Sequence, residues 1–285
     1  MISSVIDVRD LHFSYCDVEA VRGITFTVSR GEILGFLGPN GAGKSTTIKV
    51  LTGQLSPGSG SVSILGKALA RDDPEIQSRI GVCFEEKNLY NNMSARENLK
   101  FFAGLFGMKG YNPDALLRRV SLIEKADDRV SGYSKGMRQR LMIARAMVND
   151  PDVLFLDEPT EGLDPVSSRS IRELILEQAQ KGTAVLLTTH NMREADELSD
   201  RVAFICEGRI HVLDTPDNLK LKYGHRTARV KISEDGTVRQ ETISLDKSDA
   251  GDKLKKLVEH EGLLTIHTEE ATLEDIFIRI TGRGL

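Results

Sequence analysis

Gly38-Pro39-Asn40-Gly41-Ala42-Gly43-Lys44-Ser45-Thr46 decides how this chain folds, because it fits G-x-x-x-x-G-K-[ST], the pattern of a phosphate-binding loop. The pattern requires a strand before it and a helix after it. Glu32-Ile33-Leu34-Gly35-Phe36-Leu37 reads as the strand, and Thr46-Thr47-Ile48-Lys49-Val50-Leu51 continues as the helix. Glycines let the backbone wrap an anion without Cβ clashes. Their N–H groups and the positive end of the helix dipole then face the phosphates. Lys44 adds a point charge for the β- and γ-phosphates, and the Ser45 hydroxyl is placed to ligate Mg²⁺.

Working outward, composition narrows the class. The chain has 285 residues, enough for one large domain and a small appendage. A net charge of −4 gives no global basic field for nucleic acid or anionic lipid, so no nucleic-acid partner is expected. No apolar run approaches the roughly 20 residues that span a bilayer. Met1-Ile2-Ser3-Ser4-Val5-Ile6-Asp7 lacks the regions of a signal peptide, and Cys16, Cys83 and Cys206 are scattered without metal-ligand spacing. The expectation is a cytosolic chain with free thiols.

Strand-like alternation marks residues 5–8, 11–15, 23–28 and 61–66, and 80–84 reads as a buried strand. Over 94–149 the periodicity becomes helical. Ser94 and Glu97 form a capping box, followed by Leu99, Phe102, Leu105 and Phe106 at helical spacing. The apolar strand 153–156, a helix near 165–180 and the strand 184–188 complete an alternation that predicts a largely parallel sheet covered on both faces. Thr215-Pro216 starts a short helix and Gly224 ends it, predicting a boundary there. Beyond it, strands at 228–233, 242–245 and 264–268 and helices at 249–260 and 272–280 predict a small α+β domain over 225–285.

Val153-Leu154-Phe155-Leu156-Asp157-Glu158 ends an apolar strand in two carboxylates, at the edge where ligands bind in α/β sheets. Asp157 is suited to hold Mg²⁺, directly or through water. Glu158 is suited to orient or deprotonate the water that attacks the γ-phosphorus.

Tyr133-Ser134-Lys135-Gly136-Met137, Glu158-Pro159-Thr160, Gly162-Leu163-Asp164-Pro165 and Thr188-Thr189-His190 together make the chain closely resemble the ATP-binding-cassette (ABC) ATPases over about residues 5–220. The resemblance implies a P-loop NTPase cassette over 1–224, with a mixed sheet that has a parallel core, an antiparallel β subdomain and a helical subdomain over about 86–150. The family signature L-S-G-G-Q stands here with Tyr for Leu, Lys for the first Gly and Met for Gln. Ser134 and Gly136 remain, and in the family they touch the γ-phosphate bound by the opposite subunit. The resemblance further implies that His190 hydrogen-bonds the γ-phosphate, that Asp164 couples the two sites, and that Tyr15 stacks on adenine. An interior-facing strand tyrosine is the rival reading of Tyr15. Where the family places a glutamine that contacts Mg²⁺ and the attacking water, this chain has Glu85, with Glu86 adjacent. A carboxylate oxygen can replace the amide oxygen on Mg²⁺, but it adds repulsion against phosphate.

ATP and Mg²⁺ are the cofactors so implied, and the assembly is a homodimer or heterodimer of cassettes bound to a separate polytopic permease at the inner face of the membrane. The tail, Thr272-Leu273-Glu274-Asp275-Ile276-Phe277-Ile278, is similar to the extension of exporter ATPases. A soluble cassette protein of translation or DNA repair is disfavoured by the single cassette, the missing heptads and the negative charge. A non-hydrolysing regulatory cassette is disfavoured by intact Lys44, Asp157, Glu158 and His190.

Overall fold

The computed structural model describes residues 4–71, 73–85, 89–224, 227–234, 237–269 and 271–283. Glu86, beside the expected Glu85, lies outside them. The chain divides into two compact units, one up to Leu213 and the other over 214–284.

In the first unit an antiparallel sheet has the order β2-β1-β4-β5, built from β1 (Ser4–Tyr15), β2 (Val18–Ser29), β4 (Ser59–Ile64) and β5 (Lys67–Ala68). A six-stranded sheet has the order β10-β9-β3-β8-β7-β6. Its strands are β3 (Ile33–Leu37), β6 (Ile80–Cys83), β7 (Val153–Asp157), β8 (Ala184–Thr189), β9 (Arg201–Cys206) and β10 (Arg209–Asp214). β6 pairs in parallel with β7, β7 with β8, and β3 with both β8 and β9, so these strands end along one edge.

Period-two alternation makes this sheet the wall between two cores. Phe155, Leu186 and Phe36 face a core shared with β1, β2 and α1 (Lys44–Leu51), where the Phe26 and Phe36 rings meet edge-on at 4.8 Å. Leu154, Leu156, Val185 and Leu187 face the other core. There they meet residues of α3 (Ala95–Leu105), α4 (Asp114–Arg119), α5 (Lys135–Ala146) and α6 (Pro165–Gln180). The short α2 (Pro74–Gln77) and α7 (Met192–Leu198) complete this unit.

Two local readings change. The expected break between residues 8 and 11 is a bulge inside one strand: Asp10 adopts φ 49°, and its N–H donates to Thr25 Oγ1 at 2.9 Å. The Ser94–Glu97 capping box is present, but of Leu99, Phe102, Leu105 and Phe106 only Leu99 is fully buried; Leu105 is 68% exposed.

The second unit has a three-stranded antiparallel sheet, β12-β11-β13, from β11 (Thr227–Glu234), β12 (Thr237–Ser244) and β13 (Leu263–Glu269). Val230, Ile232 and Ile243 form its core with Ala250, Leu254 and Leu257 of α9 (Ala250–Val258). α8 (Pro216–Tyr223), capped by Thr215, packs against α10 (Leu273–Thr281) and so belongs to this unit.

Candidate nucleotide site

β3 is fully buried and delivers the loop 38–43 to the edge of the sheet, where Gly43 begins α1 with φ 102°. A Cβ at Gly43 would lie 2.5 Å from the Ala20 carbonyl oxygen, so only glycine allows β2 to press against the loop. The loop frames a cavity of about 160 Å³ lined by Ala20, residues 39–46, Glu85 and Glu158. Lys44 Nζ, buried at its floor, donates to the carbonyls of Gly38 at 2.6 Å and Pro39 at 3.2 Å. It lies 3.5 Å from Glu158 Oε1.

Two strands away from β3, β7 brings its acids to the same edge. Asp157 Oδ1 accepts from Ser45 Oγ at 3.1 Å and from Thr188 Oγ1 at 2.5 Å. Glu158 has φ 48°, and its N–H donates to Thr188 O and Oγ1, which aims the side chain at the loop. Its Oε1 is buried without a hydrogen-bond donor, and its Oε2 lies 3.0 Å from His190 Nδ1 out of hydrogen-bonding alignment. Burying a carboxylate oxygen without a donor is costly unless a ligand or ion completes the site.

That buried oxygen, beside the Lys44 ammonium but accepting no hydrogen bond, the cationic floor and the Ser45–Asp157 pair fit a magnesium-bound triphosphate. Among the described residues no group of three or more His, Cys, Asp or Glu side chains is placed to hold a metal alone. A Mg²⁺ ion here would complete its shell with phosphate oxygens and water, its usual habit beside phosphates.

Ser134, Gly136 and Asp164 come together elsewhere and do not line this cavity. Ser134 caps α5 by accepting from Met137 N at 3.2 Å. Asp164 caps α6 by accepting from Val166 N and Ser167 N at 3.1 and 2.9 Å. Hydrogen bonding from the Ser167 side chain, foremost, holds the Asp164 carboxyl below the usual carboxylate range. A Cβ at Gly136 would lie 2.7 Å from Ser167 Oγ, so glycine lets the two helix starts approach. The signature departures have local reasons. Tyr133 is buried, and its hydroxyl donates to Lys125 O at 2.5 Å; burial pushes that hydroxyl up to about 12. Lys135 is exposed, and its ammonium occupies the space a side chain at Gly162 would need.

Tyr15 is 45% exposed at the end of β1, with its ring edge-on to Phe13 at 4.9 Å, and is not interior-facing. It does not line the phosphate cavity. Sequence reasoning missed the parts Thr188 and Ala20 play in this site. Thr188 had a partial signal as the penultimate residue before His190; Ala20 gave none.

A phosphate loop after the central strand, with paired acids on β7 and an antiparallel sheet laid over it, defines a cassette-type P-loop ATPase. The ABC transporter family model matches residues 21–161. The chain is 44% identical over 286 residues to the fluoroquinolones export ATP-binding protein of Mycobacterium tuberculosis, covering 99% of this chain and 95% of that one. It is 38% identical over 298 residues to the Nod factor export ATP-binding protein I of Burkholderia lata, covering 98% of each. A solved ATP-binding subunit of an ABC transporter superposes with a TM-score of 0.71 at 32% identity, covering 77% of this chain and 93% of that one. The chain belongs to the ABC transporter family as an ATP-binding subunit, and it is an ATPase serving transport rather than translation or repair.

Proposed function

We propose that this chain powers export by pairing with a second cassette around two ATP molecules and driving a separate membrane permease. The observation that carries the reading is the convergence of Lys44, Ser45, Asp157 and Glu158 at one sheet edge. Lys44 and the loop N–H groups bind the β- and γ-phosphates, and Tyr15, exposed at the end of β1, stacks on adenine. Ser45 and Asp157, with Glu85 from the facing wall, would hold Mg²⁺, which neutralises phosphate charge when bound. Glu158 accepts the proton of the attacking water or orients it, and His190 contacts the γ-phosphate. Ser134 and Gly136 offer the α5 N-terminus to the partner's nucleotide, with Asp164 beside them.

The export direction is supported by relatives named as export proteins. A dimer is supported by a dimeric cassette of the same fold, bound to ADP and phosphate. Among the described residues no helix is long and apolar enough to cross a membrane, so the reading supplies the pathway from another chain. A groove of about 660 Å³ lined by Val82, Phe84, Tyr90, Phe102 and Phe106 among others suits an inserted permease helix. Asn98, fully buried, holds its rim by accepting from Tyr90 N and donating to Tyr90 O.

The test is Glu158→Gln in the full chain. ATP affinity should persist, hydrolysis should fall at least about tenfold, and an ATP-dependent dimer should accumulate on gel filtration. Unchanged turnover refutes the assignment.

A further inference from the structure

Glu194, the third residue of α7, is 2% exposed. Its Oε1 accepts from Thr160 Oγ1 at 2.5 Å, and its Oε2 accepts from Thr189 Oγ1 at 3.2 Å. Thr189 Oγ1 also accepts from Asn191 N at 3.0 Å, while Asn191 Oδ1 caps α7 by accepting from Glu194 N at 3.1 Å. Thr160 stands two residues after Glu158, inside a turn closed by Glu161 N to Glu158 O at 3.2 Å and Leu163 N to Thr160 O at 3.2 Å. Thr189 directly precedes His190. One buried carboxylate therefore joins the segment after the catalytic acid to the segment that bears the histidine.

An acid kept only for stability has poor reason to be here. Burial pushes the Glu194 carboxyl up, opposed by its two hydroxyl donors and the Arg172 charge, and Glu158 adds to the rise. Apolar replacements of buried polar clusters are often neutral or better for stability. What they lack is direction: two hydroxyl bonds to one carboxylate fix two loops at one spacing.

We propose that Glu194 is a positioning residue for hydrolysis: through Thr160 and Thr189 it sets the distance between the Glu158 turn and His190, and so the approach of both to the γ-phosphorus. The proposal rests on the roles given to Glu158 and His190 above. It separates ATP binding, which the phosphate loop performs without Glu194, from turnover, which requires the two loops in register.

The experiment uses the full chain carrying Thr160→Val, Glu194→Met, the pair together, and Glu194→Gln. Each is assayed for kcat, KM and thermal midpoint, and for the equilibrium affinity of a fluorescent ATP analogue. The expected result is a fall in kcat of about tenfold in Thr160→Val and in Glu194→Met, with nucleotide affinity kept within about threefold. The double variant should be no slower than the worse single, because Glu194→Met already removes the contact that Thr160→Val removes. Glu194→Gln should recover most of the activity, since its amide oxygen still accepts from Thr160 and its size is kept. Turnover within about twofold of the parent in Thr160→Val, or additive losses in the double variant, overturns the proposal. If Glu194→Met fails to fold, Thr160→Val and Glu194→Gln carry the test: slow turnover in the first with recovery in the second supports it, and the reverse refutes it. Glu158→Gln run alongside keeps the two readings apart. Full activity there overturns the role of Glu158, while the Thr160–Glu194 cycle is judged on its own coupling.

Discussion

Replacing Gly43 by alanine should damage nucleotide binding through geometry alone, and Gly41→Ala in the same loop supplies the control. Both residues have left-handed backbone, with φ of 102° at Gly43 and 79° at Gly41, so each substitution costs about 1–2 kcal/mol of conformational strain. They differ in space. A Cβ at Gly41 meets nothing within 4 Å, whereas one at Gly43 lies 2.5 Å from Ala20 O. Ordinary contact begins at 3.4 Å, so the start of α1 must withdraw by 3.4 − 2.5 = 0.9 Å. Lys44 and Ser45 move with it, and a displacement near 1 Å at reacting groups costs about a hundredfold. The assay is fluorescent-ATP titration and phosphate release, with the thermal midpoint measured in parallel. Both variants should melt about 2–8 °C lower. Gly43→Ala should lose affinity or turnover by about a hundredfold, and Gly41→Ala by only a few-fold. Equal losses in the two would refute the argument from the Ala20 contact.

Further expectations concern other parts of the molecule. Glu85→Gln should retain or raise Mg²⁺-dependent ATPase activity, because it removes a negative charge from the wall of the phosphate cavity; a loss of about tenfold would show a chemical role for the carboxylate. Thiol labelling of the folded chain at pH 8 should count one fast cysteine, the exposed Cys16. Cys83 and Cys206 are buried, and burial pushes the Cys83 thiol up to about 12; two or three fast thiols would contradict that packing. A chain ending at Thr215 should fold and bind ATP with parent affinity, since each unit has its own core; a folded truncation that cannot bind ATP would refute this.

The phosphate loop, the paired acids and the helix caps were legible because each is a local pattern: a spacing, a run of apolar residues, a polar residue before a helix. Ser94 with Glu97 and Thr215 with Pro216 cap the helices they were expected to cap. The contacts of Thr188, Ala20 and Glu194 were not legible, because each has a partner far along the chain. Thr188 reaches Asp157 across paired strands, and Glu194 reads from sequence as a routine acid in a first helical turn. Asp10 hid the continuity of β1, since the charged pair Arg9-Asp10 interrupts the strand alternation and here sits in a bulge. Leu105 shows the limit of periodicity, which marks an apolar face without saying what covers it.

The sheet that serves as a wall for two cores has a consequence for motion. Leu154 and Phe155 are neighbours in sequence yet belong to different cores, so neither layer can lift away without baring a full apolar face. Detaching the helical layer would therefore amount to unfolding, whereas sliding or tilting over the wall conserves its burial.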